Sequence, residues 1–166
     1  MNVYFIRHAK SSWNNANLSD IERPLNARGL DTAPKMAAYL VKTVNLGRVM
    51  LISSPAERAL ATASYFANAI GLEDSAIVQN ERLYFGSAID YINCLNKVPA
   101  NMNSVLIFGH NPTLEELASH FNNPYTGLVP TCCVLRTEIN QPLSNSIAYK
   151  DFEIKDILIP KLILNS

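Results

Sequence analysis

The chain has 166 residues, a length that fits one domain over residues 1–166 and buries roughly two thirds of its unfolded surface. Fourteen basic and fourteen acidic side chains leave no formal net charge, so no global field draws the molecule to nucleic acid or anionic membrane, and any anion site has to be local. No apolar run approaches the ~20 residues that span a bilayer, and the N-terminus opens straight into a strand without a signal-peptide pattern, so a soluble cytoplasmic protein is expected.

In chain order, the first element is Val3-Tyr4-Phe5-Ile6, an apolar, β-branched and aromatic run suited to a buried strand, which stops at Arg7-His8-Ala9-Lys10. Ser11 to Arg23 is polar and irregular. A helix is expected from Asn26 or soon after, with Met36, Ala37, Leu40 and Val41 on one face and Pro34 either kinking it or marking its real beginning. Val49-Met50-Leu51-Ile52 reads as the second strand and runs into Ser53-Ser54-Pro55-Ala56-Glu57-Arg58. There Ser54 as N-cap, Pro55 at the first helical position and Glu57 three residues after the cap predict a capping box. Ala59, Ala63, Phe66, Ala67 and Ile70 then recur at helical spacing, with Gly71 as the stop.

Ile77 and Val78 suggest a short strand, and Ser87 to about Lys97 a helix with Ile89, Ile92 and Leu95 inward. Val105 to Phe108 reads as a fully buried strand ending in Gly109-His110-Asn111-Pro112, followed by a helix from Thr113 to Phe121. This alternation implies an α/β fold with a largely parallel sheet covered on both faces. Cys132 to Ile139 and Ile147 to Ile154 read as strands joined by a turn around Asn140 to Asn145, an antiparallel edge. The apolar tail from Ile157 to Leu164 contains Pro160, which argues for an edge or docked segment.

The chemistry gathers at strand ends, where open α/β sheets keep their sites. Three such ends supply His8 and His110 together with Arg7 and Arg58. Imidazole attacks phosphorus and guanidinium clamps phosphate oxygens, so the set reads as a phosphoryl-transfer site. Cys94, Cys132 and Cys133 form no spaced framework and read as buried small apolar groups. The histidines show no metal-ligand spacing, so neither metal nor cofactor is expected, and His120 reads as a helix-surface residue. Arg58 taken alone also fits a surface ion pair with Glu57 or Asp31. Trp13 fits either a cover over the site or a loop residue packed on the core, and Arg28 reads as solvated.

An Arg-His pair closing the first strand, Ser-Ser-Pro-x-x-Arg-Ala after the second and Gly-His-Asn-Pro after a later one together resemble the histidine phosphatase superfamily. Within it, Arg7-His8-Ala9-Lys10-Ser11-Ser12-Trp13 and Arg23-Pro24-Leu25-Asn26-Ala27-Arg28-Gly29 resemble the short SixA-type branch of phosphohistidine phosphatases, over nearly all the chain to about Ile139. The resemblance implies a three-layer α/β/α sandwich of the phosphoglycerate mutase-like kind, with a mostly parallel central sheet and an antiparallel edge. It implies that neutral His8 attacks the phosphoryl group, that water hydrolyses the phosphohistidine, that His110 donates to a phosphoryl oxygen, and that Arg7 and Arg58 bring cationic forks. Asn111 would add a backbone N–H, Arg23 would approach the phosphate, and Ser11 and Lys10 would stand at the rim as substrate-binding residues.

Phosphomonoesterase and mutase relatives protonate the leaving alkoxide with a carboxylate, and Glu81 occupies a similar place here. Some SixA-type members have no evident acid. An imidazole leaving group, with a reference pKa near ~6.5, departs more readily than an alkoxide. A phosphohistidine-bearing protein of a phosphorelay is therefore the expected partner, to a monomeric enzyme. The alternatives are a small-molecule phosphomonoesterase with the same nucleophile and a non-catalytic phosphoprotein-binding module.

Overall fold

The structure, a computed structural model, describes residues 1–140 and 146–164. The chain-order elements are β1 (Asn2–Arg7), α1 (Ala27–Thr43), β2 (Val49–Ser53), α2 (Glu57–Ile70), β3 (Ile77–Gln79) and α3 (Ala88–Asn93). They continue with β4 (Ser104–Gly109), α4 (Thr113–Ser119), β5 (Val134–Ile139), β6 (Phe152–Leu158) and α5 (Pro160–Ile163). The strands form one six-stranded sheet in the order β3-β2-β4-β1-β5-β6. The first four of these pair in parallel, while β5 and β6 run antiparallel at the edge.

Alternation along each central strand sends side chains to opposite faces. Tyr4, Ile6, Leu106 and Phe108 pack with Met36, Leu40 and Phe66 of α1 and α2. Val3, Phe5, Val105 and Ile107 pack on the other face with Tyr91, Ile92, Leu114 and Leu117 of α3 and α4. The sheet is thus sandwiched between two helical layers. Among the described residues no helix is long and apolar enough to cross a membrane.

Several expectations shift. Asn26 caps α1 by accepting from the Gly29 N–H at 2.9 Å, so Pro34 lies inside the helix and does not begin it. The carbonyl it cannot reach is that of Leu30, a half-exposed residue, so the lost bond falls on the solvent side. Val41 is 38% exposed and Ile89 is 42% exposed. Val41 falls beyond the buried stripe of α1, and in α3 Tyr91 takes the interior position. The helix expected to reach Lys97 ends at Asn93 and tightens into a 3-10 turn over Cys94–Lys97.

Helix α2 starts at Glu57 with Ala56 as its N-cap. The capping box on Ser54 does not form, because the helix starts two residues further on than the box requires; the Ser54 hydroxyl meets the His110 ring instead. Gly71 closes the helix in the left-handed region as expected. Strand β6 begins at Phe152 and not at Ile147, since Tyr149–Asp151 first make a 3-10 turn. Pro160 opens α5 at a position where its missing N–H costs nothing. Residues 141–145 of the expected turn lie outside the described residues.

The register positions the chemistry. Arg7 pairs with Gly109 and Ser53 with Phe108, so β1, β4 and β2 end at one level and the residues after them are neighbours. Cys132, with φ at +62°, donates its N–H to the carbonyls of Arg7 and His8 and holds the end of β1 from the other side.

On the helical side, the Ala9 N–H donates to Thr62 Oγ1 at 2.9 Å, and that hydroxyl donates to the Arg58 carbonyl at 2.6 Å. Thr62 is fully buried. Replacing it by the isosteric Val leaves the Ala9 N–H without an acceptor. The expected loss is about 1–3 kcal/mol in urea denaturation; a change below roughly 0.5 kcal/mol would show that the strap contributes little.

Candidate active site

Beyond the ends of β1, β4 and β2 lies a cavity of about 580 Å³, within the usual range for small-ligand sites. Its lining includes Arg7, His8, Lys10, Ser11, Arg23, Arg58, His110 and Asn111. The structure therefore brings together all the candidate catalytic and substrate-binding residues of the sequence except Glu81. Glu81 is exposed in a 3-10 turn and is not among the lining residues. The turn that starts there carries Tyr84 and Phe85 into the cavity instead.

His8 is 8% exposed, and its backbone N–H donates to the Gly109 carbonyl. Its Nδ1 lies 2.7 Å from the Ala9 carbonyl. A carbonyl only accepts, so Nδ1 carries the hydrogen and Nε2 is left with its lone pair. Burial pushes its pKa down from 6.5 to about 3, with His110, Arg58 and Arg7 adding to the fall and the Ala9 carbonyl opposing it. The ring is neutral at pH 7.

The His110 ring centroid lies 5.0 Å from that of His8. Its backbone N–H donates to the Tyr91 hydroxyl at 3.0 Å, and that hydroxyl donates to the Leu83 carbonyl. Gly109 precedes His110 because a Cβ there would collide with the Tyr91 hydroxyl. His110 Nε2 lies 2.8 Å from Ser54 Oγ, while Nδ1 has no protein partner. Burial, followed by the Arg58 charge, lowers its pKa to about 4.

The cationic groups come from separate segments. Arg7 Nη1 donates to the Val129 carbonyl at 2.8 Å, which the Asn111 amide also engages at 2.9 Å. Arg58, only 5% exposed in the first turn of α2, donates to the Asp20 carbonyl and, at 2.9 Å, to its Oδ2. Arg23 Nε donates to Asp20 Oδ1 at 3.0 Å, and its guanidinium stacks 3.4 Å from the centre of the Trp13 ring. The Tyr84 hydroxyl donates to Asp20 Oδ2 at 2.6 Å. That bond, then the guanidinium of Arg58, holds the Asp20 carboxyl down at about 2.

Asp20, Tyr84 and Ser54 are the residues that sequence reasoning missed. Asp20 sat in the stretch read as irregular, although its spacing of three from Arg23 was a usable signal. Lys10 and Ser11 line the cavity, and Trp13 is 72% exposed at its edge. Arg28 and His120 are exposed and away from it. Cys94, Cys132 and Cys133 are free and buried, and burial raises their thiols to about 11, 12 and 12, which removes thiolate character at neutral pH. Among the described residues no group of His, Cys, Asp and Glu is arranged to hold a metal ion.

Four cationic side chains and one carboxylate line the cavity, so a local positive field exists on a chain of zero net charge. Such a set can hold a tetrahedral oxyanion in front of a neutral imidazole lone pair.

The family model of the histidine phosphatase superfamily (branch 1) matches residues 3–84. The uncharacterized protein Rv1276c of Mycobacterium tuberculosis is 33% identical over 114 residues, which cover 68% of this chain and 67% of that protein. The chain belongs to the histidine phosphatase superfamily. Solved structures share the fold of this histidine phosphatase. The protein histidine phosphatase SixA, determined with tungstate, matches at a TM-score of 0.79 and 22% identity over 98% of this chain and 99% of that one. Phosphoserine phosphatase of Entamoeba histolytica matches at 0.63 and 14% over 94% and 95%.

Both buried imidazoles have folded pKa values below the ordinary 6.5. Between about pH 6.5 and 4 the unfolded chain therefore binds protons that the folded chain refuses, and stability falls as pH drops through that window. Each ring contributes a slope of up to about 1.4 kcal/mol per pH unit. Denaturation midpoints of His8→Asn, followed from about pH 7 to about pH 4, are expected to fall less steeply than those of the wild type; parallel curves would mean that the ring is not held neutral.

Proposed function

We propose that this histidine phosphatase releases phosphate from phosphohistidine in a protein, without a metal, by way of a phosphohistidine at His8. The observation that carries the reading is the pinned His8 ring. The Ala9 carbonyl holds Nδ1–H, so the Nε2 lone pair is available beside Arg7 and Arg58 in the cavity. Nε2 attacks phosphorus as the bond from phosphorus to the leaving group breaks. Water then attacks the phosphorus of phospho-His8, the P–Nε2 bond breaks with its electron pair returning to Nε2, and inorganic phosphate departs. Arg7, Arg58 and Arg23 offset the charge on the transferred group, His110 donates to one of its oxygens, and Lys10, Ser11 and the Asn111 N–H stand at its margin.

The leaving group is inferred from the acid-base state of the cavity. Asp20 is its lining carboxylate and is held as an anion near pKa 2, and Glu81 stands outside. An alkoxide needs a proton delivered by an acid in the site, whereas a phosphohistidine ring that has taken a proton from solvent on its remote nitrogen keeps the P–N electron pair and departs as neutral imidazole. Exposed Trp13 and Phe85 at the cavity suit contact with a protein surface. The likeness in fold to SixA supports the same reading.

The test is phosphate release, with chelator present, from a histidine-phosphorylated carrier protein and from an aryl phosphate ester. Release from the carrier is expected to exceed that from the ester by on the order of 100-fold. It should vanish in His8→Ala and persist in Glu81→Gln. Faster release from the ester identifies a small-molecule phosphomonoesterase, and release from neither leaves a phosphoprotein-binding module.

A further inference from the structure

Ser54 lies where the parallel register leaves it beside His110. Its N–H donates to the Phe108 carbonyl at 3.0 Å, and its side chain is fully buried. Two groups meet its hydroxyl oxygen: His110 Nε2 at 2.8 Å and the Ala56 N–H at 3.3 Å. The Ala56 N–H can only donate, so the oxygen accepts there. A hydroxyl has one hydrogen to give. If Nε2 also carried a hydrogen, the oxygen would accept twice and its own hydrogen would be buried with nothing to receive it. With Nε2 bare, the hydroxyl donates to it and both contacts at the Ser54 oxygen are satisfied. A neutral ring has a single N–H, and it then falls on Nδ1, a buried ring atom that no protein group engages, so its acceptor is left for the bound oxyanion to supply.

We propose that Ser54 is a positioning residue that fixes His110 as the Nδ1–H tautomer, so that the ring meets a phosphoryl oxygen with a hydrogen and not with a lone pair. The inference deepens the phosphatase reading and rests on it for its consequence, though the tautomer itself is measurable without turnover. His8 and His110 then carry their hydrogen on the same atom for opposite ends. In His8 the Nδ1–H is spent on the Ala9 carbonyl and Nε2 is the free nitrogen. In His110 Nε2 is taken by Ser54 and the Nδ1–H is free.

The experiment is a long-range proton–nitrogen NMR correlation on histidine-labelled protein at neutral pH, with signals assigned through His8→Ala and His120→Gln. The wild type is expected to show His110 with a protonated Nδ1 and a bare Nε2. In Ser54→Ala the His110 pattern should move toward the other tautomer while that of His8 stays, and kcat for phosphate release should fall about tenfold or more with KM changed less. Ser54→Thr, which keeps the hydroxyl, should restore both the pattern and the rate. A protonated Nε2 in the wild type overturns the proposal, as does a Ser54→Ala pattern identical to the wild type. The wild-type spectrum decides even if the alanine variant fails to fold. A wild type that shows the expected tautomer but releases no phosphate would defeat the phosphatase reading and leave the tautomer assignment standing.

Discussion

Parallel pairing of β1, β4 and β2 in one register is the constraint on which the site depends. Because Arg7 pairs with Gly109 and Phe108 with Ser53, three strands stop within a residue of one another and set His8, His110 and Ser54 side by side. A slip by one residue would turn every side chain of the slipped strand to the opposite face and separate the imidazoles. The register is in turn enforced by burial, since both faces of these strands are packed and neither apolar set can be turned outward without loss.

Charge is the second constraint. Arg58 and Arg23 are nearly buried guanidinium groups, and a buried cation is costly unless it is paired and hydrogen-bonded. Asp20 meets that need from the segment before α1. It bonds to both arginines and to the Tyr84 hydroxyl, tying the segment around residue 20 to α2 and to the turn after β3. An incoming phosphoryl group therefore meets arginine forks whose orientation is already set, and it competes with a carboxylate for their hydrogen bonds. The same arrangement keeps Asp20 ionised, so that its contribution to the cavity is charge and position and not a proton.

The hydrogen bonds around His8 connect the helical layer to the strand end. Arg58 contributes its side chain to the cavity and its carbonyl to Thr62, while Thr62 receives the Ala9 N–H and Ala9 offers its carbonyl to His8. One turn of α2 thus sets both a cation and the orientation of an imidazole. Substitutions in that turn are coupled for this reason, and double-mutant cycles between Thr62 and His8 should be non-additive.

Much of this was legible in the residue order. The apolar runs before His8 and His110, the helical spacing from Ala59 to Ala67, and the four residues Arg7, His8, Arg58 and His110 all lie where the pattern placed them, because burial periodicity and strand-end polarity are local properties. Tertiary structure decided the rest. Ser54 looked like a helix cap, since nothing local shows that an imidazole 56 positions away takes its hydroxyl. Glu81 looked like an acid by its order in the chain, yet the direction of the turn places Tyr84 and Phe85 in the cavity and leaves Glu81 outside. Asp20 looked like part of a polar loop and became the counter-ion of the site. The sequence by itself determined which polar side chains follow the apolar strands that the sheet brings together; only the packed fold decided their partners, because hydrogen bonds and ion pairs join groups that are distant along the chain and adjacent only once the sheet and its helices are assembled.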